Sequence, residues 1–171
     1  MKSIIALFRG RLKMDSQVEI FLKRASNEIL VAESLKRLSE ETKYKEDFNI
    51  PQEATFYSSV ISHSYYSIFY IAKAILLTKN IRTSFPNIHK RTYDLFDKTF
   101  VKTGVLDKRL LQIYTDLVVK AGDLLEIFKD EKWKRGNFTY QVIAQANKMP
   151  AEDSLTNAKL FVANISKAIG D

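Results

Sequence analysis

Apolar residues recur at three- and four-residue intervals over most of the chain, the period of one helical face. From Ser16 to about Glu41 the stripe is Ile20, Leu22, Ala25, Ile29, Leu30, Ala32, Leu35 and Leu38, with charged residues on the other side. Ser16-Gln-Val-Glu19 has the form of a capping box, in which the serine oxygen accepts from a first-turn amide and the glutamate reaches back. Residues 42–50 are polar and end at Pro51, so they read as a loop. From about Gln52 to Lys79 the chain is apolar or aromatic nearly all round, through Phe56, Tyr57, Val60, Ile61, Tyr65, Tyr66, Ile68, Phe69, Ile71, Ala72, Ile75 and Leu76. No period of two is sustained there, and the run is far longer than a strand. A helix of that kind belongs in the middle of a bundle.

Residues 80–85 read as a second loop. Pro86 suits the first turn of a third segment, about Pro86–Val101, which Gly104 stops. Asp107 is placed to cap a long fourth segment, Lys108 to about Lys132, with a stripe through Leu110, Leu111, Tyr114, Leu117, Val118, Ala121, Leu124, Leu125 and Phe128. Gly136 and Asn137 mark an irregular point, a short helical stretch Phe138–Ala146 follows, and Pro150 opens a last helix, Ala151–Ile169. No internal repeat or low-complexity tract interrupts the pattern. The prediction is an all-α antiparallel bundle of about five helices.

Composition narrows the chemistry. The 171 residues contain 5 Gly and 3 Pro, too few for the many tight turns of an all-β fold. Cysteine is absent, which excludes disulfides, a thiolate nucleophile and thiolate zinc sites. His63 and His89 are the two histidines, so a three-histidine metal site is excluded as well, and neither a metal nor a cofactor is expected. The net charge is +7, but Lys2, Arg9, Arg11 and Lys13 supply four of those charges, which leaves +3 for residues 15–171. The division expected is a basic N-terminal extension, 1–14, and one helical domain, 15–171. Met14 before Asp15 would be the natural start if the extension is not native. The alternative is a short basic arm that packs on a neighbour or touches phosphate. The apolar run Ile4–Phe8 is too short for a signal peptide. Val60–Leu77, the nearest approach to a membrane span, contains Ser, His, Tyr and Lys73, so no transmembrane helix is expected and the location implied is cytoplasmic.

Ser62-His-Ser-Tyr65-Tyr66-Ser-Ile-Phe69-Tyr-Ile-Ala72-Lys-Ala74-Ile-Leu-Leu77 resembles the second helix of HEPN-domain proteins (higher eukaryote and prokaryote nucleotide-binding). His89, Phe96 and Phe100-Val-Lys-Thr-Gly104 with Leu106-Asp-Lys resemble that family's third helix and the turn after it. Arg135-Gly-Asn-Phe-Thr-Tyr140 is similar to its Arg-x-x-Ala-Asp-Tyr segment, and Glu152-Asp-Ser-Leu with Ala158-Lys-Leu-Phe161-Val to its last helix. The resemblance implies a HEPN-like bundle that works as a homodimer. It also implies binding of RNA or a nucleotide, in some members metal-independent RNA cleavage, and in some a toxin neutralised by a nucleotidyltransferase partner.

The family's ribonuclease motif is an arginine and, a few residues on, a histidine. Here Arg135 is followed after four residues by Tyr140, a poor general base near neutral pH. The candidate catalytic set is therefore Arg135 for phosphate, Tyr140 for stacking or hydrogen bonding, and His63 as a substitute imidazole. The plainer readings are an arginine paired with Asp130 or Glu131, a tyrosine packed at a helix junction, and a histidine satisfied in the core. Lys132-Trp133-Lys134 interleaves cations with an aromatic ring, which suits phosphate plus base stacking; the plainer account is a solvated helix end with its cations near the C-terminal dipole and Trp133 tucked on the core. Asn137 orients substrate or forms a turn, and Tyr66, within Tyr65-Tyr66 and Phe69-Tyr70, belongs to a base-stacking platform or to the core. Arg82 and His89 match the motif spacing literally, but Pro86 lies between them and takes them off one helix face. The alternative to an RNA-directed enzyme is a catalytically silent module that binds a nucleotidyltransferase or another protein.

Overall fold

The computed structural model describes residues 16–133 and 148–170, with side chains described outside 123–133. Those residues form six α-helices and no strand: α1 Ser16–Glu40, α2 Thr42–Asp47, α3 Tyr57–Thr78, α4 Ile88–Phe96, α5 Lys108–Trp133 and α6 Lys148–Gly170. They pack as a helical bundle, in agreement with the hydrophobic pattern. The N-terminal extension 1–14, the stretch 138–146 and residues Lys134, Arg135, Asn137 and Tyr140 lie outside the described residues.

Helix α3 is the centre. It packs on α1, α4, α5 and α6, and buries residues on most of its circumference, from Tyr57 and Val60 to Leu76 and Leu77. By length and composition it could cross a membrane, yet 67% of its most apolar stretch is covered by the rest of the bundle. Its hydropathy is that of a core helix.

Helix α1 runs antiparallel to α3, as three contacts show. Phe21 stacks near Tyr70, Glu28 meets His63, and Ser39 meets Phe56. Its buried residues are Val18, Ala25, Ala32 and Ser39, one every seventh position. Small side chains at that spacing bring two helix backbones close. This differs from the stripe the pattern predicts, since Ile20 and Leu30 face outward at 50% and 59% exposure. The docking face is set by the small residues, which a count of large apolar ones overlooks. At the end of α1, Ser39 Oγ donates to Leu35 O and accepts the Phe56 N–H, each at 2.8 Å, so one hydroxyl ties α1 to the residue that leads into α3.

The predicted loop 42–50 is in part helical. Glu41 is extended, ends α1, and lets Thr42–Asp47 form a short helix. Lys45 is buried there, and its ammonium donates to Gln52 O at 2.5 Å, holding α2 against the following turn. Six residues are too few for periodicity to register, so a tether from outside the segment decides it. Pro51–Ala54 makes a turn, which delays α3 to Tyr57. Asn80, in the left-handed region, closes α3: its N–H bonds Leu77 O, and that of Ile81 bonds Leu76 O.

Pro86 falls just before the third predicted segment's helix. Asn87 takes a left-handed φ of 59°, which asparagine tolerates, and α4 starts at Ile88. After Phe96 the helix widens into a π-helical turn, Asp97–Val101, which turns both Phe100 and Val101 inward. Gly104, at φ 76°, stops it as expected, and Asp107 Oδ1 accepts the Arg109 N–H at 2.7 Å as the cap of α5. Pro150 stands in the first turn of α6, where its missing N–H costs nothing.

Opposite α1, the core is aromatic. The Tyr114 ring lies 5.2 Å from Tyr93, 5.8 Å from Phe96 and 5.8 Å from Phe161, edge to face in each case. Tyr114 is fully buried, and its hydroxyl has no hydrogen-bond partner among the described residues. Two outcomes follow for urea unfolding. Phe161→Ala lowers stability by about 3–5 kcal/mol through the cavity it leaves. Tyr114→Phe leaves stability unchanged or raises it, because it removes a polar group that is desolvated without return.

Candidate functional site

Two of the sequence-predicted site residues, His63 and Tyr66, have described side chains, and both stand on one face of α3. They are three residues apart, so their side chains are neighbours on the helix surface. His63 Nδ1 lies 2.6 Å from Glu28 Oε2 of α1, with the two side chains 33% and 23% exposed. A carboxylate accepts and does not donate, so Nδ1 carries a proton, and in the neutral ring the lone pair is on Nε2. His63 is thus an oriented imidazole at the α1–α3 seam. Ser67, which shares its strip by sequence, is instead turned inward and donates to Ser64 O at 2.7 Å.

Tyr66 is 40% exposed. Beside it stands the second histidine, His89, on α4. The His89 ring stacks on Phe69 at 4.2 Å between centroids, and lies 6.2 Å from Tyr66 and 5.7 Å from Tyr65. The Tyr65 hydroxyl is 2.7 Å from His89 Nδ1. Burial pushes the Tyr65 phenol up to about 12, so it keeps its proton, and the imidazole nitrogen is the acceptor in reach. That arrangement leaves His89 with its proton on Nε2, facing away from Tyr65. Burial, and then the charge of Lys73, hold the His89 pKa below its ordinary 6.5.

Cations complete the face. The Arg24 guanidinium lies 5.5 Å from the centre of the Tyr70 ring, and the Lys73 ammonium 4.7 Å from Phe21 and 5.6 Å from Phe69. Neither forms an ion pair among the described residues. Burial first, and Arg24 second, lower the pKa of Lys73, a sign of two neighbouring positive charges. Rings therefore hold both cations in place of carboxylates.

Sequence reasoning placed His63 and Tyr66 as candidates and missed Glu28, Arg24, Lys73 and His89. Lys73 did carry a signal: it is a lysine in the midst of an apolar helix. Arg24 and Glu28 look like ordinary exposed α1 charges until α3 is laid beside them. Arg82 and His89 go to different partners, Arg82 to Gln17 and His89 to Tyr65. Lys132 and Trp133 lie in the last turn of α5, and their side chains are outside the described set, as are Lys134, Arg135, Asn137 and Tyr140 altogether.

The class so defined is a helical bundle with a polar and aromatic strip along its central helix. A protein of Methanocaldococcus jannaschii named "Putative toxin MJ0605" is 30% identical to this chain over 117 residues, which cover 68% of this chain and 74% of that one. The chain belongs to the family of that protein. A second protein of the same organism, named "Putative toxin MJ0142", is 44% identical over 57 residues, 33% of this chain and 37% of its own length. That match spans about a third of the relative. No protein-family model matches the chain, and no solved structure does.

The state of His89 is measurable. In an NMR titration its ring titrates below 6.5, and Lys73→Met moves the midpoint back toward 6.5 by removing the adjacent charge. The linked stability has a definite sign. The contribution of neutral His89 is fully present above pH 6.5 and is lost as the pH falls through its lowered folded pKa. His89→Gln therefore flattens the fall in thermal stability on acidification.

Proposed function

We propose that this protein is the toxin component of a toxin–antitoxin pair, a HEPN-type homodimer that acts on RNA and is neutralised by a nucleotidyltransferase partner. The observation that carries the reading is the match to a protein named as a toxin over most of both chains. The helical bundle is in keeping with it, and so are the ordered resemblances along the sequence. In this reading the protein is cytoplasmic, and Arg135 binds the scissile phosphate with a charge-assisted hydrogen bond. Tyr140, Trp133, Asn137, Lys132 and Lys134 contact the RNA chain. No metal or cofactor takes part.

His63 supports the enzyme version. With Nδ1 held by Glu28, its Nε2 is able to take the proton of a ribose 2′-hydroxyl, a task for which a tyrosine is poorly suited. The second reading, a silent module that binds a nucleotidyltransferase, is favoured by the tyrosine at position 140 where the motif has histidine.

Induced expression of the full chain in a bacterial host, followed by incubation of purified protein with total RNA and tRNA in chelator, tests both. The expected result is growth arrest and cleavage, with cleavage slowed about tenfold or more by Arg135→Ala and by His63→Asn. Growth arrest without cleavage, or cleavage unaffected by Arg135→Ala, overturns the enzyme version.

A further inference from the structure

We infer that the α1–α3–α4 face carrying Arg24, Tyr66, Tyr70, Lys73 and His89 is a binding surface for single-stranded RNA, in which bases stack on exposed rings and phosphates sit on the two cations. The inference takes from the proposed function only the choice of ligand. It concerns a surface separate in sequence from residues 132–140.

Three features of the face point to that ligand. First, rings line the face in succession, with Tyr66 exposed and Tyr70 half-buried beside it. Tyr66 and Tyr70 are one helical turn apart, near parallel at 28° and 6.4 Å between centroids, and His89 flanks Tyr66 from α4. An exposed tyrosine beside an exposed histidine offers π-surfaces that a base covers without regard to sequence. Second, the cations lack carboxylate partners. Arg24 and Lys73 rest over Tyr70, Phe21 and Phe69, and the neighbouring acid, Glu28, is engaged by His63. Positive charge left unneutralised on a surface is what a phosphate chain neutralises. Third, the hydrogen-bond capacity that remains is directed outward. His89 spends Nδ1 on Tyr65 and presents its Nε2–H, a donor for a phosphate oxygen or a base carbonyl.

A double helix cannot use such a surface, because its bases are stacked within and turn only their edges outward. An acidic peptide would meet the cations but not the rings. The combination of the two is the chemistry of an unpaired nucleic acid strand.

The test is fluorescence anisotropy with a labelled, 2′-O-methylated single strand of about 12 nucleotides. It lacks the attacking 2′-hydroxyl, so binding is read whether or not the protein cleaves. Tyr66→Ala is expected to weaken binding about tenfold, and Tyr66→Trp to retain it. Arg24→Gln and Lys73→Gln each weaken binding and reduce the slope of log K against log salt by about 0.7. The duplex of the same sequence binds more weakly than the single strand. Binding equal to wild type in all three truncating variants overturns the proposal. So does an unchanged salt slope in the two cation variants, which also decides the matter if Tyr66→Ala does not fold. Light scattering runs in parallel: a Tyr66→Ala protein that falls from dimer to monomer shows that a second copy covers the face, and the proposal fails. Failure of cleavage by the wild-type protein would overturn the enzyme reading and leave this binding result standing.

Discussion

The close approach of α1 to α3 is the contact on which the rest of the arrangement depends. Val18, Ala25, Ala32 and Ser39 recur every seventh residue, and the two alanines are completely buried. With nothing larger between the backbones, residues that flank the seam are brought within bonding distance across it. Glu28 reaches His63, Phe21 reaches Tyr70, and Ser39 reaches the amide of Phe56. A large side chain at Ala25 or Ala32 would force the helices apart and release all three at once. Overpacking at such a point costs about 1–3 kcal/mol in stability. Here it would cost the geometry of the polar strip as well.

Helix α3 meets two demands with one sequence. Its inner surface must fill a bundle in which four other helices pack on it, hence Ile68, Ile71, Ala72, Ile75 and Leu76, all buried. Its outer strip carries His63, Tyr66 and Tyr70, whose polar atoms need partners or water. Neighbours come from outside the helix: Glu28 on α1 pairs with His63, the His89 ring on α4 lies beside Tyr66, and the Arg24 cation lies over Tyr70. A helix with this hydropathy but without such neighbours would read as a membrane span. The neighbours make it a core helix with a polar and aromatic edge.

The sequence made the bundle of about five helices legible wherever a helix is long enough to show its period, and the stop at Gly104 and the cap at Asp107 were readable because each works through its own φ or its own side chain. What was hidden depends on contacts made at a distance. Helix α2 needs Lys45 tethered to Gln52, and α3 starts after the Pro51–Ala54 turn with the Phe56 amide held by Ser39 of α1. The π-turn at Asp97–Val101 adjusts two neighbouring side chains to one core, which a fixed period of 3.6 does not express. The same holds for the site. Tyr66 could be named from its aromatic neighbours in sequence, whereas the pairing of His63 with Glu28 spans 35 residues, and that of Tyr65 with His89 spans 24.

These two pairings give the histidines opposite roles. Glu28 accepts a hydrogen bond from His63 Nδ1–H, so in the neutral ring the acceptor is Nε2. Tyr65 donates its O–H to His89 Nδ1, so the neutral ring carries its own proton at Nε2. His63 stands one helical turn before Tyr66 on α3, and His89 flanks Tyr66 from α4. In the proposed reading, a base stacked on Tyr66 would have a hydrogen-bond donor within reach on His89, and nucleobases carry acceptors around a flat ring. The lowered pKa of His89 is what keeps its arrangement in place, because a second proton on that ring would need Nδ1 and would break the bond from Tyr65.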